Sequence, residues 1–168
     1  MRILATADIL IIGGGIMGLT VALALKKRHP DQKIILLEKE SDFGYHASGR
    51  NSGVLHAGFY YTANSLKARF TRDGNRRLTE YCLDRGLPIN RCGKLVVAKT
   101  EAELQGLDTL LQRGKTNGVD LHVVDETEAH ELEPYARTVN KALFSPTTST
   151  VDPISVMSSL VADARSIG

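Results

Sequence analysis

The run Gly13-Gly14-Gly15-Ile16-Met17-Gly18, set between two apolar stretches, constrains this chain more than any other feature. Ala7 to Ile12, just before it, is short and rich in isoleucine. A short apolar run closed by glycines reads as a strand buried on both faces of a parallel sheet. Ile16 to Arg28 follows and is apolar on nearly every side, with Leu19, Val21, Leu23 and Leu25 separated by Ala22 and Ala24. That composition suits a helix packed closely on a sheet, and His29-Pro30 stops it. Lys33 to Leu37 is a second apolar strand, ending at Glu38. Strand, glycine turn, helix and strand within about 30 residues make one βαβ unit with an expected right-handed crossover.

The glycine run fits G-x-G-x-x-G, a weak motif on its own. Here it follows a strand, opens a helix, and is answered by an acid at the end of the next strand, about 20 residues on. Together these form the dinucleotide fingerprint. Gly13 permits a tight turn, Gly15 lets the backbone approach a pyrophosphate, and Gly18 lets the helix lie close on the strand. The helix start, at Ile16 and Met17, offers free N–H groups and a partial positive charge. Glu38, followed by Lys39, is expected to accept hydrogen bonds from adenosine ribose hydroxyls. A carboxylate there would repel a 2′-phosphate, which argues against NADP. A ligand-free βα turn is the competing reading, and it needs three glycines, an acid and both flanking elements to coincide by accident. The fingerprint alone does not choose between FAD and NAD.

Bulk properties narrow the remaining classes. The chain has 168 residues, 42% hydrophobic and 24% charged, with a formal net charge of +2. That charge is too small to imply nucleic acid or an acidic membrane as partner. With no tryptophan and 5% aromatics, a stacking platform for bases is not expected. Cys82 and Cys92 fit neither a zinc pattern nor a C-x-x-C motif and read as two reduced, buried or half-buried thiols. No metal site is expected. No apolar run approaches the roughly 20 residues of a membrane span. The expected compartment is cytoplasmic, with a peripheral place at the inner membrane left open.

Ser41 to Tyr61 is long, irregular and rich in Gly, Ser, Asn and His, which marks a functional or disordered stretch. Helical periodicity returns at Asn64, with Leu66, Phe70, Leu78, Tyr81 and Cys82 expected on one inward face, and Gly86 and Pro88 close that helix. Lys94 to Ala98 reads as a strand and Glu101 to Thr116 as an amphipathic helix stopped by Asn117-Gly118, with Leu104, Leu107, Leu110 and Leu111 inward. Leu121 to Val124 is a further strand. Asp125 and Glu128 form a capping box for a short helix ending before Pro134. Ala142 to Phe144 reads as a strand. Asp152-Pro153 starts a last helix, running to Ile167 and ending on Gly168. The fold class is therefore α/β: a partial Rossmann-type βαβ unit plus the first part of an α+β domain. A domain change is expected around Asn90, because the later elements no longer follow the βαβ order.

The segment from Glu38 through Gly44-Tyr45-His46-Ala47-Ser48-Gly49-Arg50-Asn51-Ser52-Gly53-Val54-Leu55-His56-Ala57-Gly58-Phe59-Tyr60-Tyr61, followed by Ser65-Leu66-Lys67-Ala68, resembles the D-amino-acid-oxidase-like FAD-dependent oxidoreductases. Within them it is most similar to the L-2-hydroxyglutarate oxidases and dehydrogenases, and the likeness continues through Gly93-Lys94-Leu95 and Thr148 to Pro153. The resemblance implies non-covalent FAD. It places Ser48, Arg50, Asn51, Ser52 and Gly53 against the pyrophosphate and flavin, with His46 as another residue that could face the cofactor. It also implies hydride transfer from a small 2-hydroxy acid, L-2-hydroxyglutarate going to 2-oxoglutarate, with electrons passing to oxygen or a quinone-linked carrier. His56 is then the candidate base, and Tyr60 and Tyr61 are candidate substrate contacts. A structural histidine and two packing tyrosines are the plainer alternative. Related glycerol-3-phosphate dehydrogenases carry an arginine at what aligns with Tyr60, so its absence leans away from a phosphorylated substrate. Competing functions are an amino-acid or amine oxidase of the same family and a catalytically inactive nucleotide-binding module. The resemblance divides the chain into a nucleotide-binding part at 1–89, a partial substrate or cap domain at 90–150, and a helix at 151–168 that returns to the nucleotide-binding domain; family members are much longer. The expectation is thus a truncated product or a piece of a longer oxidoreductase, lacking later strands and part of the flavin pocket, and binding FAD weakly or not at all by itself.

Overall fold

The structure is a computed structural model, and it describes residues 6–167. The proposed helix stop at Gly168 lies outside the described residues. The chain forms two compact units: one holds the described residues up to Gly53 and from Asp152 onward, and the other spans Val54–Val151.

The first unit is built on β1 (Ile9–Ile12), α1 (Ile16–Arg28) and β2 (Ile34–Leu37), with α5 (Pro153–Ser166) packed on α1. β1 and β2 pair in parallel, Ile9 opposite Ile34 through Ile12 opposite Leu37, as a βαβ crossover requires. Glycine at position 18 permits the close approach of α1 to the turn. A Cβ there would overlap the Gly13 carbonyl oxygen and sit 3.6 Å from Ile11 Cγ2. Among the described residues β1 pairs only with β2, and Leu10 and Ile12 remain exposed. Asp152 caps α5, accepting from the Ile154 and Ser155 amides, with Pro153 in the first turn.

The second unit contains two antiparallel sheets. One is ordered β3 (Val54–Leu55), β8 (Ser149–Val151), β4 (Ile89–Asn90). The other is ordered β5 (Lys94–Val97), β7 (Lys141–Ser145), β6 (His122–Asp125). Strand alternation sorts the second sheet's side chains between its faces. Ala98 and Leu143 pack on Leu107 of α3 (Glu101–Asn117), while Val124 and Ala142 pack on Ala129 of α4 (Glu126–Leu132). The capping box forms as expected: Asp125 accepts from the Glu128 amide and Glu128 from the Asp125 amide. Gly118, at φ 66°, ends α3 in the left-handed region.

Three expectations are corrected. β1 is not buried on both faces as expected: Leu10 and Ile12 are exposed because no described element covers that face. α2 (Leu66–Asp84) buries Ala68, Asn75 and Cys82, seven residues apart, while Leu66 and Phe70 are exposed. Small and polar side chains face inward here because the neighbouring backbone lies close and offers carbonyls to Asn75. Cys92 is exposed rather than half-buried; Cys82 is buried, which pushes its thiol pKa up.

Candidate functional site

In the first unit the glycine turn, Glu38 and Ser48 form one neighbourhood. The Gly13 amide donates to the Leu37 carbonyl at 2.7 Å, and Gly13 takes φ 105° with open space where a Cβ would point. Gly15 stands at the N-cap of α1 with no side chain to cap it, and the first turn holds no acid. The helix start thus carries no acid and no cap from its own N-cap residue, which leaves it electropositive and suited to a phosphate pair. The Ile16 amide donates to Ser48 Oγ at 3.0 Å, so the expected loop residue does reach the helix start. Met17 lies exposed beside it.

Glu38 points back at the turn. Its Oε2 accepts from the Gly14 amide at 2.6 Å, and its Oε1 accepts from the Lys39 and Glu40 amides at 2.8 and 3.1 Å. The Glu40, Gly14 and Lys39 amides hold its carboxyl below the ordinary carboxylate range. Three bonds occupy most of the roughly four acceptor positions of a carboxylate. The remaining one on Oε2 is available to a hydroxyl. Lys39 is exposed, with Nζ 3.1 Å from Glu40 Oε1.

The following loop is organised largely by its own backbone. Asn51 Nδ2 donates to the Ala47 and Ser48 carbonyls, and Asn51 Oδ1 accepts from the Gly53 amide. Gly53 is buried at φ 68°. Arg50 stacks over Tyr45, 4.4 Å from the ring centroid. Ser52 is exposed. His46 faces Glu40, at 2.8 Å between Nε2 and Oε1, and that hydrogen bond lowers the Glu40 pKa.

In the second unit His56, Tyr60 and Tyr61 line a cavity of about 220 Å³, joined by Lys94. The imidazole is exposed at its rim. Desolvation by the atoms around it, and then the Lys94 charge, hold its pKa below the ordinary value. Tyr60 packs on Phe59, with ring centroids 4.4 Å apart, and Lys67 Nζ lies 4.4 Å from the Tyr61 centroid. A larger cavity of about 450 Å³ in this unit carries Arg72, Arg76 and Arg91. There Arg72 is paired with Asp73 and Arg76 with Glu80, so much of its charge is compensated internally.

Several residues that shape these places escaped the sequence reading. Gly14, the free position of the motif, is buried, and a Cβ on it would strike the Phe43 ring. Asn75 Nδ2 donates to the Leu55, His56 and Thr147 carbonyls at 2.9, 3.3 and 3.0 Å. Asn117, expected only to stop α3, donates to the Gly58 and Tyr61 carbonyls and accepts from the Asn64 amide. These two buried amides fix the path of His56 to Tyr61. Among the described residues no group of three or more His, Cys, Asp or Glu is placed to hold a metal ion, and no helix is long and apolar enough to cross a membrane.

Comparison with known proteins agrees with this geometry. The chain is 43% identical over 162 residues to a protein of Pongo abelii named L-2-hydroxyglutarate dehydrogenase, mitochondrial, covering 96% of this chain and 38% of the relative. It is 43% identical over 127 residues to L-2-hydroxyglutarate dehydrogenase of Escherichia coli K12, covering 76% of this chain and 30% of that one. The chain therefore spans about a third of the length of these relatives. A solved structure of L-alpha-glycerophosphate oxidase from Mycoplasma pneumoniae with FAD bound matches at TM-score 0.87 and 28% identity, over 98% of this chain and 44% of that one. The family model described as DAO, FAD dependent oxidoreductase, matches residues 8–168, and with a bare glycine turn answered by an acid in the fold this chain belongs to that family.

Proposed function

We propose that this chain carries the adenosine-diphosphate side of the non-covalent FAD site of an oxidoreductase that converts a small 2-hydroxy acid, L-2-hydroxyglutarate, to 2-oxoglutarate. The observation that carries the reading is the 43% identity to an L-2-hydroxyglutarate dehydrogenase across 96% of the chain, a span that includes both the glycine turn and His56–Tyr61. On this reading the backbone of Gly13, Gly15, Ile16, Met17 and Gly18 holds the pyrophosphate, and Glu38 beside Lys39 holds the ribose. Ser48, Arg50, Asn51, Ser52 and Gly53 lie along the rest of the cofactor. Functionally, residues 1–89 are the cofactor side, 90–150 the substrate or cap side, and 151–168 the returning helix. Bound FAD supplies the hydride acceptor. His56 takes the hydroxyl proton at a ring nitrogen; desolvation and then the Lys94 charge lower its pKa and so favour the neutral, proton-accepting form. Tyr60 and Tyr61 orient the acid, and the electrons pass on to oxygen or a quinone-linked carrier. The proposed compartment is cytoplasmic.

The test is to load the purified chain with FAD and follow the flavin's visible absorption anaerobically. L-2-hydroxyglutarate, glycine, sarcosine, a D-amino acid and glycerol 3-phosphate are added in turn. Bleaching by L-2-hydroxyglutarate is expected wherever bleaching occurs. Bleaching by an amine or by glycerol 3-phosphate alone would overturn the substrate assignment. Acid precipitation is expected to release the yellow colour, and colour kept on the precipitate would contradict non-covalent binding.

A further inference from the structure

The cavity beside His56 contains a cation whose role the oxidoreductase reading leaves unassigned. Lys94 opens β5, and strand alternation puts it on the same face as Val96. Val96 packs against Ala57 and Phe59, so the lysine is delivered next to His56–Tyr61. The preceding residue is pinned: Gly93 takes φ 72°, its amide donates to the Thr148 carbonyl at 3.0 Å, and a Cβ there would strike the Phe144 ring. Lys94 is half-buried, and its Nζ lies 4.5 Å from the Tyr60 centroid.

Lysines 39 and 141 each meet a carboxylate, Glu40 and Asp108. Lys94 meets an aromatic face instead, and among the described residues no acid lines its cavity. The titratable and charged groups around it are His56, Tyr60 and Tyr61 in the lining, Lys67 over the Tyr61 ring, and Arg113, which donates to the Tyr60 carbonyl at 3.2 Å. A half-buried ammonium with no carboxylate among the described residues of its cavity favours an incoming anion. A space of about 220 Å³ admits only a small one.

We propose that Lys94 is the anion anchor of this cavity and receives a carboxylate of a small acid substrate. The proposal rests on the 2-hydroxy acid reading and deepens it. The Lys94 charge has a second effect on the same site: it disfavours protonated His56 and so helps keep the base free.

The experiment uses the full chain without FAD, so failure of the flavin reading and failure of this one are separable. Histidine ring and backbone NMR signals are followed while glutarate is added, in wild type, Lys94→Met and Lys94→Arg. The uncharged dimethyl ester serves as control. Glutarate is expected to shift His56 and Tyr60 saturably in wild type, while the ester does not. Lys94→Met should weaken glutarate by about tenfold or more, the size of a lost charge-assisted hydrogen bond, and Lys94→Arg should keep most of the affinity. The His56 titration midpoint should rise toward the ordinary value in Lys94→Met. Native-like backbone spectra of both variants confirm that each folds. Equal glutarate binding by Lys94→Met, equal binding of the ester, or a His56 midpoint unmoved by that substitution would overturn the proposal.

Discussion

Asn75 and Asn117 show what single residues contribute. Each lies on a helix and reaches carbonyls between 19 and 72 positions away in sequence. Asn75→Ala would leave the Leu55, His56 and Thr147 carbonyls short of a donor, and it is expected to cost about 1–3 kcal/mol, read as a lower urea midpoint. The local pattern could not reveal this, because an asparagine on a helix looks like part of a solvated face until the partner carbonyls are placed. Two glycines were legible for the opposite reason: Gly13, at φ 105°, and Gly18, packed on the Gly13 carbonyl, answer to local backbone geometry. Gly18→Ala is expected to force the helix off the turn at about 1–3 kcal/mol, the usual cost of overpacking. Glu38 carries a pH signature. Its pKa is lowered in the folded chain, so its contribution is full above the ordinary carboxylate range and is lost as pH falls through the folded value. The stability difference between wild type and Glu38→Gln should therefore shrink toward zero on acidification, as measured by urea midpoints from neutral to acid pH.

Elements with a strong period or an explicit cap were readable, and elements made by tertiary pairing were not. α1 runs from Ile16 to Arg28 and α4 starts on its capping box, both as the sequence implied. Asp125→Ala should remove that box at a cost of about 1 kcal/mol, seen as a lower thermal midpoint with the sheet otherwise intact. β3, β4 and β8 are two or three residues long, too short to show alternation. They exist because β8 bonds to both others, pairing Thr150 with Val54 and with Asn90. The inward face of α2 was misread because periodicity weighs apolar side chains, whereas close packing here selects Ala68, Asn75 and Cys82.

Across the molecule, the order of elements separated a parallel βαβ unit from antiparallel sheets. Element order alone did not send the last helix back to the first unit; that expectation came from the family resemblance, and α5 packs on α1 there. Of the candidate site, the fingerprint was legible because its chemistry is backbone and local. The anchoring role proposed for Lys94 was not, because it depends on a strand face meeting a distant loop. The cofactor side of the functional reading requires the α1 start to hold two linked phosphates and Glu38 to hold a ribose, so backbone NMR with added ADP, FAD and FMN tests it most directly. ADP and FAD should shift the amides of Gly13 to Gly18 together with Glu38 and Lys39, and FMN should leave them unmoved. Absence of shifts at millimolar ADP, or shifts confined to other residues, would contradict the account.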